Sequence, residues 1–189
     1  MSCACGREGE LQRGKQSFCM SCFCGQFETR VKKALRRREL RRGERVLAVG
    51  ALAAHLVRKL VRLPLQLSVD DMPQPGHGTT LTEWTMDDEC VAFLAWLGSG
   101  SEFIQHEHDI PLLLYITDED AAHYARIHSI PFIPRQKDAA WWKFLQAFDD
   151  HPEMKRNLLR NIGELRELLR EKGYFSARQK DTLMADRAK

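Results

Sequence analysis

The pattern of apolar and polar residues changes along this chain, and the first change comes near residue 25. Before that point cysteines and glycines are frequent and aliphatic residues few, so this segment cannot bury a core of its own. From Gln26 to Leu40 apolar residues recur at helical spacing, with arginines and lysines on the opposite side. These apolar residues are Phe27, Val31, Ala34 and Leu35. We therefore predict a Cys-rich zinc knuckle at 1–25 and a basic helix within 26–44.

Short apolar runs then alternate with helical stretches, an arrangement typical of α/β units with a mostly parallel sheet. Thr117 with Asp120 three residues later is the pattern of a capping box, which predicts a helix start. The predicted strands are Arg45–Gly50, Leu63–Val69, Thr79–Trp84 and Pro111–Ile116. The predicted helices are Ala51–Arg62, Asp87–Leu97, Thr117–His128, Asp138–Phe148 and a last one from Lys155 with a stripe of Leu158, Ile162, Leu165 and Leu169. We expect a small, mostly parallel Rossmann-like α/β domain at 45–175, with a helical C-terminal end, and a polar tail at 176–189.

Length and composition restrict the class of protein. The 189 residues are enough for one domain with a hydrophobic core and a small appendage. Apolar residues at 43% and charged residues at 29% argue against a wholly disordered chain. No apolar run approaches the roughly 18 residues of a membrane span, and the first residues do not resemble a secretory signal. We expect a cytoplasmic protein with no membrane partner.

Charge is distributed unevenly. Residues 1–62 contain 15 Lys and Arg against 5 Asp and Glu, a balance of +10. Residues 63–189 contain 14 against 21, a balance of −7, and the two balances give the net charge of +3. This polarity indicates a basic end that contacts a polyanion and an acidic remainder that does not.

The basic residues concentrate between Arg30 and Arg45, where only two glutamates oppose them. Cationic side chains beside a zinc knuckle suit contacts with a nucleic-acid backbone, which give affinity without reading sequence. The alternative is a solvated helix face whose apolar side packs on the sheet. The helix has too few apolar anchors to indicate membrane binding. The candidate nucleic-acid-binding residues are Arg30, Lys32, Lys33, Arg36, Arg37, Arg38, Arg41 and Arg42.

Five of the six cysteines lie within the first 24 residues. Short-spaced cysteine pairs in a chain without a secretory signal predict a metal site before they predict disulfides. Zinc requires four soft ligands, and a site closed by four thiolates serves folding because it leaves no position for substrate. Reduced thiols in a mobile segment are the alternative, and Cys24 could replace Cys3 or Cys22. The predicted zinc ligands are Cys3, Cys5, Cys19 and Cys22.

The order of these segments resembles one known family. A cysteine pair in FCMSCF, a basic helix and then GERVLAVG are similar to the start of the cytoplasmic tRNA 2-thiolation proteins and the two-thiouridine synthetases. These belong to the PP-loop, or N-type ATP pyrophosphatase, superfamily. The resemblance implies a sheet of the adenine nucleotide alpha hydrolase type. The similar segments are 18–23, 43–50, 85–100, 110–132 and 151–169, and the acidic positions that match the family are Asp87, Asp88 and Glu89.

The chain departs from the family where the family is active. Active members carry SGGxDS after the first strand, and its amides and hydroxyls bind ATP phosphates. Here the strand ends at Gly50 and continues into ALAAHLVRKL, which contains no hydroxyl. Glu83–Thr85 replaces the family's GHN, Ile133–Lys137 replaces a Cys-Pro motif, and the central cysteine pair is missing. The resemblance therefore implies a shortened relative without the phosphate-binding loop.

Several other residues carry two interpretations each. Asp87–Glu89 could serve as acid/base or magnesium groups, but carboxylates that complement a helix dipole are the favoured interpretation. Cys90 is predicted to be a core thiol. His106 and His108 indicate a solvated loop more than a metal site. Trp141–Trp142 could stack on bases, but we expect one of them in the core.

Three functions follow from these observations. The first is a non-catalytic tRNA-binding or scaffolding subunit of wobble-uridine 2-thiolation, a partner of an active PP-loop thiolase, for which the family's two-protein system gives a precedent. The second is a zinc-ribbon interaction module, on nucleic acid or protein, unrelated to tRNA. The third is a divergent tRNA-adenylating sulfurtransferase with an altered ATP site, which would need phosphate donors that the sequence does not offer.

Overall fold

The structure, a computed structural model, describes residues 2–13, 16–36, 39–72, 78–99, 109–149 and 151–172. The strands are β1 (Leu11–Arg13), β2 (Gln16–Phe18), β3 (Arg45–Val49), β4 (Gln66–Asp70), β5 (Thr79–Thr85) and β6 (Asp109–Leu113). The helices are α1 (Met20–Leu35), α2 (Ala51–Leu60), α3 (Met86–Ser99), α4 (Asp118–Ile127), α5 (Ala139–Gln146) and α6 (Pro152–Glu171). The predictions for Arg37, Arg38, His106, His108 and the polar tail lie outside the described residues.

Four strands form a parallel sheet in the order β4-β3-β5-β6. β3 pairs with β4 on one side and with β5 on the other, so Val46 lies opposite both Leu67 and Thr79. The chain therefore leaves β3 in one direction and returns to its other side, which makes the gap between β3 and β5 the topological switch point. β1 and β2 form a separate antiparallel hairpin. The predicted α/β class with a mostly parallel sheet is confirmed.

The main core lies between this sheet and helices α1, α2 and α4. Strand β3 is buried from Val46 to Val49, as expected for a central parallel strand covered on both faces. Phe27 of α1 stacks on Tyr124 of α4 with ring centroids 4.0 Å apart and planes 9° apart. Helix α1 is thus fastened to the α/β domain by its apolar stripe, while its other side faces solvent.

A second apolar cluster joins α3, α5 and α6. Cys90, Leu145 and Ile162 are fully buried in it, so the prediction of a core thiol at Cys90 is confirmed. Trp141 and Trp142 both pack against this cluster. The C-terminal helices therefore cover α3. No helix in the described part of the chain, α6 included, is long and apolar enough to cross a membrane.

Several element boundaries differ from the sequence prediction, three of them as follows. Helix α1 begins at Met20 instead of Gln26, because Phe23 belongs to the same buried stripe as Phe27. Strand β4 begins only at Gln66, since Pro64 has no amide hydrogen and its carbonyl accepts from Gly43. Strand β6 ends at Leu113, and the chain turns directly after it.

Candidate functional site

The first candidate site is the group of four cysteines beside the hairpin of β1 and β2. The ligand atoms of Cys3, Cys5, Cys19 and Cys22 all lie within 4.8 Å of one another. Two local structures bring the pairs together. A turn closed by hydrogen bonds from Cys3 N to Arg7 O and from Gly6 N to Cys3 O presents the first pair, and the start of α1 presents the second. The four predicted ligands are thus brought together.

The pKa values of several thiols in this group are shifted from the ordinary value of a cysteine. Hydrogen bonds from the backbone and side chain of Arg7 and neighbouring thiols lower the pKa of Cys5 to about 6. Bonding to Cys5 and Cys19 raises the pKa of Cys22 to about 12. Thiols so close together cannot all ionise without a cation to balance their charge. The group therefore offers thiolate ligands whose mutual repulsion a metal ion would relieve.

The spacing of the sulfurs fits a single ion. A tetrahedral zinc with Zn–S bonds of about 2.3 Å holds its sulfurs roughly 3.8 Å apart, and the Sγ atoms of Cys5 and Cys19 are 3.6 Å apart. A four-iron cluster binds each thiolate through a different iron and spreads the sulfurs more widely. Cys24 lies elsewhere, with its Sγ 3.8 Å from Nε2 of His128, and is not in the group.

The hairpin beside the cysteine group is tied to α4 by an ion-pair network. Arg13 contacts Glu119 at 2.5 Å and Asp120 at 2.6 Å, and Arg30 reaches Asp120 at 3.4 Å. Arg13 is partly buried and Asp120 largely buried in this contact, which holds the hairpin against α4. Thr117 caps the same helix by accepting from the amide of Asp120, at 3.2 Å, as predicted.

The second candidate site is the crevice at the carboxyl ends of β3 and β5. In open α/β sheets ligands bind at such a switch point, where the first helix directs its amides into the crevice. Here Glu83, near the end of β5, places its carboxylate on the N-terminus of α2. The amide of Ala53 donates to Oε1 of Glu83 at 2.9 Å, and the amide of Leu52 also bonds to this carboxylate.

Gly50 makes room for the carboxylate. It precedes α2 with φ +102°, and a Cβ at this position would overlap the Glu83 side chain. Burial raises the pKa of Glu83, while the amides of Ala53 and Leu52 and the charge of Arg135 act in the opposite direction. The guanidinium carbon of Arg135 lies 5.5 Å from the ring centroid of Trp84. The crevice therefore holds one internal anion with an arginine close by.

The family-matching acidic residues lie beside this crevice and are paired inside the protein. Asp88 contacts Lys137 at 2.8 Å and accepts from the amide of Thr85 at 2.9 Å. Lys137 also reaches Asp118 at 2.5 Å. The lysine side chain is only 5% exposed, and although burial lowers its pKa, Asp118 and Asp88 outweigh burial and raise it.

Asp87 and Glu89 pair with α6 in the same way. Asp87 contacts Lys155 at 3.1 Å and accepts from the amide of Asp118 at 2.8 Å. Burial raises the pKa of Asp87, and Lys155 opposes that shift. Glu89 contacts Arg166 at 2.6 Å. All three acidic residues are at least 95% buried, so they do more than complement the dipole of α3.

The candidate nucleic-acid-binding residues divide into two groups. Arg30 pairs with Asp120, and Nζ of Lys33 lies 4.4 Å from the ring centroid of Tyr115. Four others are exposed and form no ion pair with another described residue. They are Lys32, Arg36, Arg41 and Arg42. Arg41 and Arg42 precede β3, so they lie at the amino edge of the sheet, opposite the crevice.

Sequence reasoning missed the residues that fill the crevice and cover the acidic group. Glu83 reaches a helix 30 residues away, and Lys155 reaches a carboxylate 68 residues away. One local signal at Glu83 is that an acidic residue stands where the family that the sequence resembles has GHN, while the segment after Gly50 contains no hydroxyl.

Comparison with known proteins supports the fold. No protein-family model matches the chain, and no curated protein matches it. Among solved structures the chain is similar to the U34-tRNA thiolase NcsA from Methanococcus maripaludis, a structure with its [4Fe-4S] cluster. The TM-score is 0.67 at 13% identity, over 88% of this chain and 88% of that chain. The chain therefore shares the fold of a tRNA thiolase along nearly its whole length.

Proposed function

We propose that this chain is a non-catalytic, tRNA-binding or scaffolding subunit in wobble-uridine 2-thiolation, a cytoplasmic partner of an active PP-loop thiolase. The observation that carries the proposal is the shared fold with a U34-tRNA thiolase over 88% of both chains. The collinear sequence resemblance to the 2-thiolation proteins is independent support. A role in the same pathway accounts for both.

The non-catalytic part of the proposal rests on the chemistry of the crevice. Residues Gly50–Leu52 offer no hydroxyl to a phosphate, and the amides that could bind one donate to Glu83. The matching acidic residues are neutralised by Lys137, Lys155 and Arg166. Groups that an active enzyme would keep available for nucleotide and metal are thus engaged with one another.

The tRNA contact is assigned to the basic residues of the first third of the chain. Exposed arginines at the amino edge of the sheet suit a phosphate backbone, since they need no particular base sequence. In the proposal Lys32, Arg36, Arg41 and Arg42 bind tRNA directly, together with Arg37 and Arg38. Arg30 and Lys33 contribute to tRNA binding through the positive electrostatic potential of this surface. The acidic part of the chain, residues 63–189, binds the partner enzyme.

The metal assigned to the four cysteines is zinc, with a folding role. The segment before α1, with the first turn of that helix, then forms a knuckle held by the ion, the rest of α1 is the basic helix, and the α/β domain follows from β3. Zinc bound by Cys3, Cys5, Cys19 and Cys22 would hold together a segment that has few apolar residues of its own. The thiolates would supply all four ligands, and no chemistry at the metal is needed.

The deciding experiment is nucleoside mass spectrometry of bulk tRNA from cells that lack this protein. We expect 2-thiouridine derivatives to fall and to return when the wild-type chain is re-expressed. Unchanged thiolation would overturn the proposal and favour a zinc-ribbon interaction module unrelated to tRNA.

A reconstitution separates a helper from an enzyme. The purified chain, incubated with tRNA, ATP and a sulfur donor, is expected to thiolate nothing by itself. Thiolation without a partner enzyme would contradict the non-catalytic assignment and support a divergent sulfurtransferase.

A further inference from the structure

Strand β4 forms one edge of the parallel sheet, and no strand among the described residues pairs with its outer side. The backbone of Gln66 faces β3, because its amide donates to the carbonyl of Glu44 at 2.9 Å. Alternate residues of a strand direct their backbone groups to the same side. Leu67 and Val69 therefore direct their amides and carbonyls away from the sheet, along its open edge.

The sequence of β4 does not protect this edge. Edge strands of soluble proteins are often blunted by lysine, proline or a bulge, which prevents another strand from adding to them. β4 contains neither lysine nor proline, and it pairs with β3 in continuous register from Gln66 to Asp70. Val69 is 47% exposed, and Leu63 and Met72 on either side of the strand are 46% and 69% exposed. The edge therefore offers both the hydrogen-bonding groups and the apolar surface that an added strand needs.

We propose that this edge binds the same edge of a second copy of the chain, with the two β4 strands antiparallel across a two-fold axis. The two four-stranded sheets then form one continuous sheet. An interface of this symmetry requires a surface that complements itself. β4 meets that requirement in its backbone groups, its apolar side chains and its charges. The inference goes beyond the proposed function and does not depend on it.

The backbone groups match when Ser68, the middle residue of β4, lies beside the two-fold axis. Leu67 of each copy then lies opposite Val69 of the other, and each of these two pairs exchanges two hydrogen bonds. All the outward amides and carbonyls of the two strands are used in this register. Opposite side chains lie on the same face with their Cβ atoms about 5.5 Å apart, so Leu67 of one copy covers the exposed Val69 of the other.

The charges along the strand favour the antiparallel direction and a second copy as the occupant. β4 begins near two exposed arginines, Arg45 beside it on β3 and Arg62 before it, and it ends in Asp70 and Asp71. Opposite directions place the basic start of one strand against the acidic end of the other, which is favourable. In this register Asp70 of the second copy lies opposite Gln66, in the same row as Arg45. A parallel arrangement would instead bring the aspartates of the two copies together, which is unfavourable.

The test is analytical ultracentrifugation of the purified full-length chain over a range of protein concentrations. We expect an equilibrium of monomer and dimer, and Val69→Lys should raise the dimer dissociation constant at least tenfold, because it places a cation on the paired edge. Leu168→Lys is the matched control, since that leucine is 49% exposed on α6, and it should dimerise like wild type. A monomer at every concentration would overturn the proposal and leave the edge to a strand of a different protein. A dimer that Val69→Lys weakens no more than the control does would place the interface elsewhere and would also contradict it.

Amide hydrogen exchange in the wild-type protein gives a second readout that needs no variant. The amides of Leu67 and Val69 should exchange freely in dilute protein and become protected as the dimer forms. The amide of Ser68 faces β3 and should be protected at every concentration. Outward amides whose protection does not depend on concentration would contradict the proposal, since another segment of the same chain would then cover the edge. Neither readout involves tRNA, so failure here is distinguishable from failure of the proposed function.

Discussion

Gly50 and Glu83 are matched to each other across the switch point of the sheet: a Cβ on the glycine would overlap the carboxylate of the glutamate. Gly50 also has φ +102° and ψ 155°, a region that is essentially restricted to glycine. The two constraints are separable, because the first depends on the side chain at position 83 and the second does not.

Gly50→Ala is therefore expected to destabilise the protein for two reasons. The backbone conformation alone costs about 1–3 kcal/mol in a residue other than glycine. The displaced carboxylate adds to that cost, because the amides of Leu52 and Ala53 lose their acceptor. Urea unfolding followed by circular dichroism measures the sum.

A double-mutant cycle isolates the contact. In a Glu83→Ala background the overlap is gone, so Gly50→Ala should cost less than it does in wild type. The remaining cost reports the backbone strain. Equal costs in the two backgrounds would mean that the carboxylate does not rest against Gly50 in solution.

The metal prediction concerns the cysteine group. Purified protein should contain about one zinc per chain by elemental analysis, as expected for a tetrahedral four-thiolate site. Cys19→Ser should lose the metal and loosen the hairpin of β1 and β2, since this thiol is buried at the start of α1. Cys24→Ser is the matched control, because Cys24 faces His128 instead, and it should keep the metal. Iron with the visible absorption of an iron–sulfur cluster would contradict the assignment of zinc.

Local signals in the sequence were sufficient for the elements and for the cysteine group. The cap at Thr117, the central strand from Arg45 and the core position of Cys90 depend on residues within one turn or one strand. The cysteine group depends on two short-spaced pairs, which also lie close in sequence. Periodicity and spacing encode features that depend on residues close together in the sequence, and the structure agrees with these predictions.

The ion pairs in and beside the crevice join residues that are far apart in the sequence, and no local sequence pattern connects them. Lys137 and Lys155 lie on a connection and on α6, and neither belongs to a motif. Their pairing with Asp88 and Asp87 becomes visible only when the C-terminal helices fold back over α3. Sequence reasoning could identify the acidic residues and the missing hydroxyls, but not the side chains that neutralise the acidic residues or the Glu83 carboxylate that accepts from the amide of Ala53.

The basic surface gives a prediction about tRNA. Arg41→Gln with Arg42→Gln should weaken binding to tRNAs of different sequence by a similar factor, because phosphate contacts carry no sequence information. The slope of log affinity against log salt should fall by about 2, roughly one for each lost contact. Filter binding at several salt concentrations measures both quantities.

The control for that experiment has the same change in charge. Arg156→Gln with Arg160→Gln removes two exposed cations from α6, on the acidic part of the chain. It should leave the affinity and the salt slope nearly unchanged. Equal losses in the two double variants would indicate attraction to net charge alone, without a defined surface.

The buried pair of Lys155 and Asp87 gives a stability prediction. Lys155→Met keeps the volume of the side chain but leaves the Asp87 carboxylate buried without its cation, which costs about 3–5 kcal/mol. Adding Asp87→Asn should recover much of this loss, because the amide is uncharged and can still accept from Asp118. Chemical denaturation of the single and the double variant measures the effect, with Lys143→Met, at an exposed lysine of α5, as control. If Lys155→Met is as stable as the Lys143→Met control, the ion pair of Lys155 and Asp87 contributes nothing to the free energy of unfolding.

Three histidines predict how stability depends on pH. Burial lowers the pKa of His55, His123 and His128, the charges of His128 and Lys59 lower that of His55 further, and the charge of Lys59 lowers that of His128 further. A depressed folded-state pKa means that the stabilising contribution is present above the unfolded value near 6.5 and is lost as pH falls through the folded value. The free energy of unfolding should therefore decline between pH 7.5 and 5.

His55→Gln should reduce that decline, whereas His151→Gln, at an imidazole that is 62% exposed, should not. Unfolding curves at half-unit steps of pH measure the slopes, and an unchanged slope in His55→Gln would exclude His55 as a source.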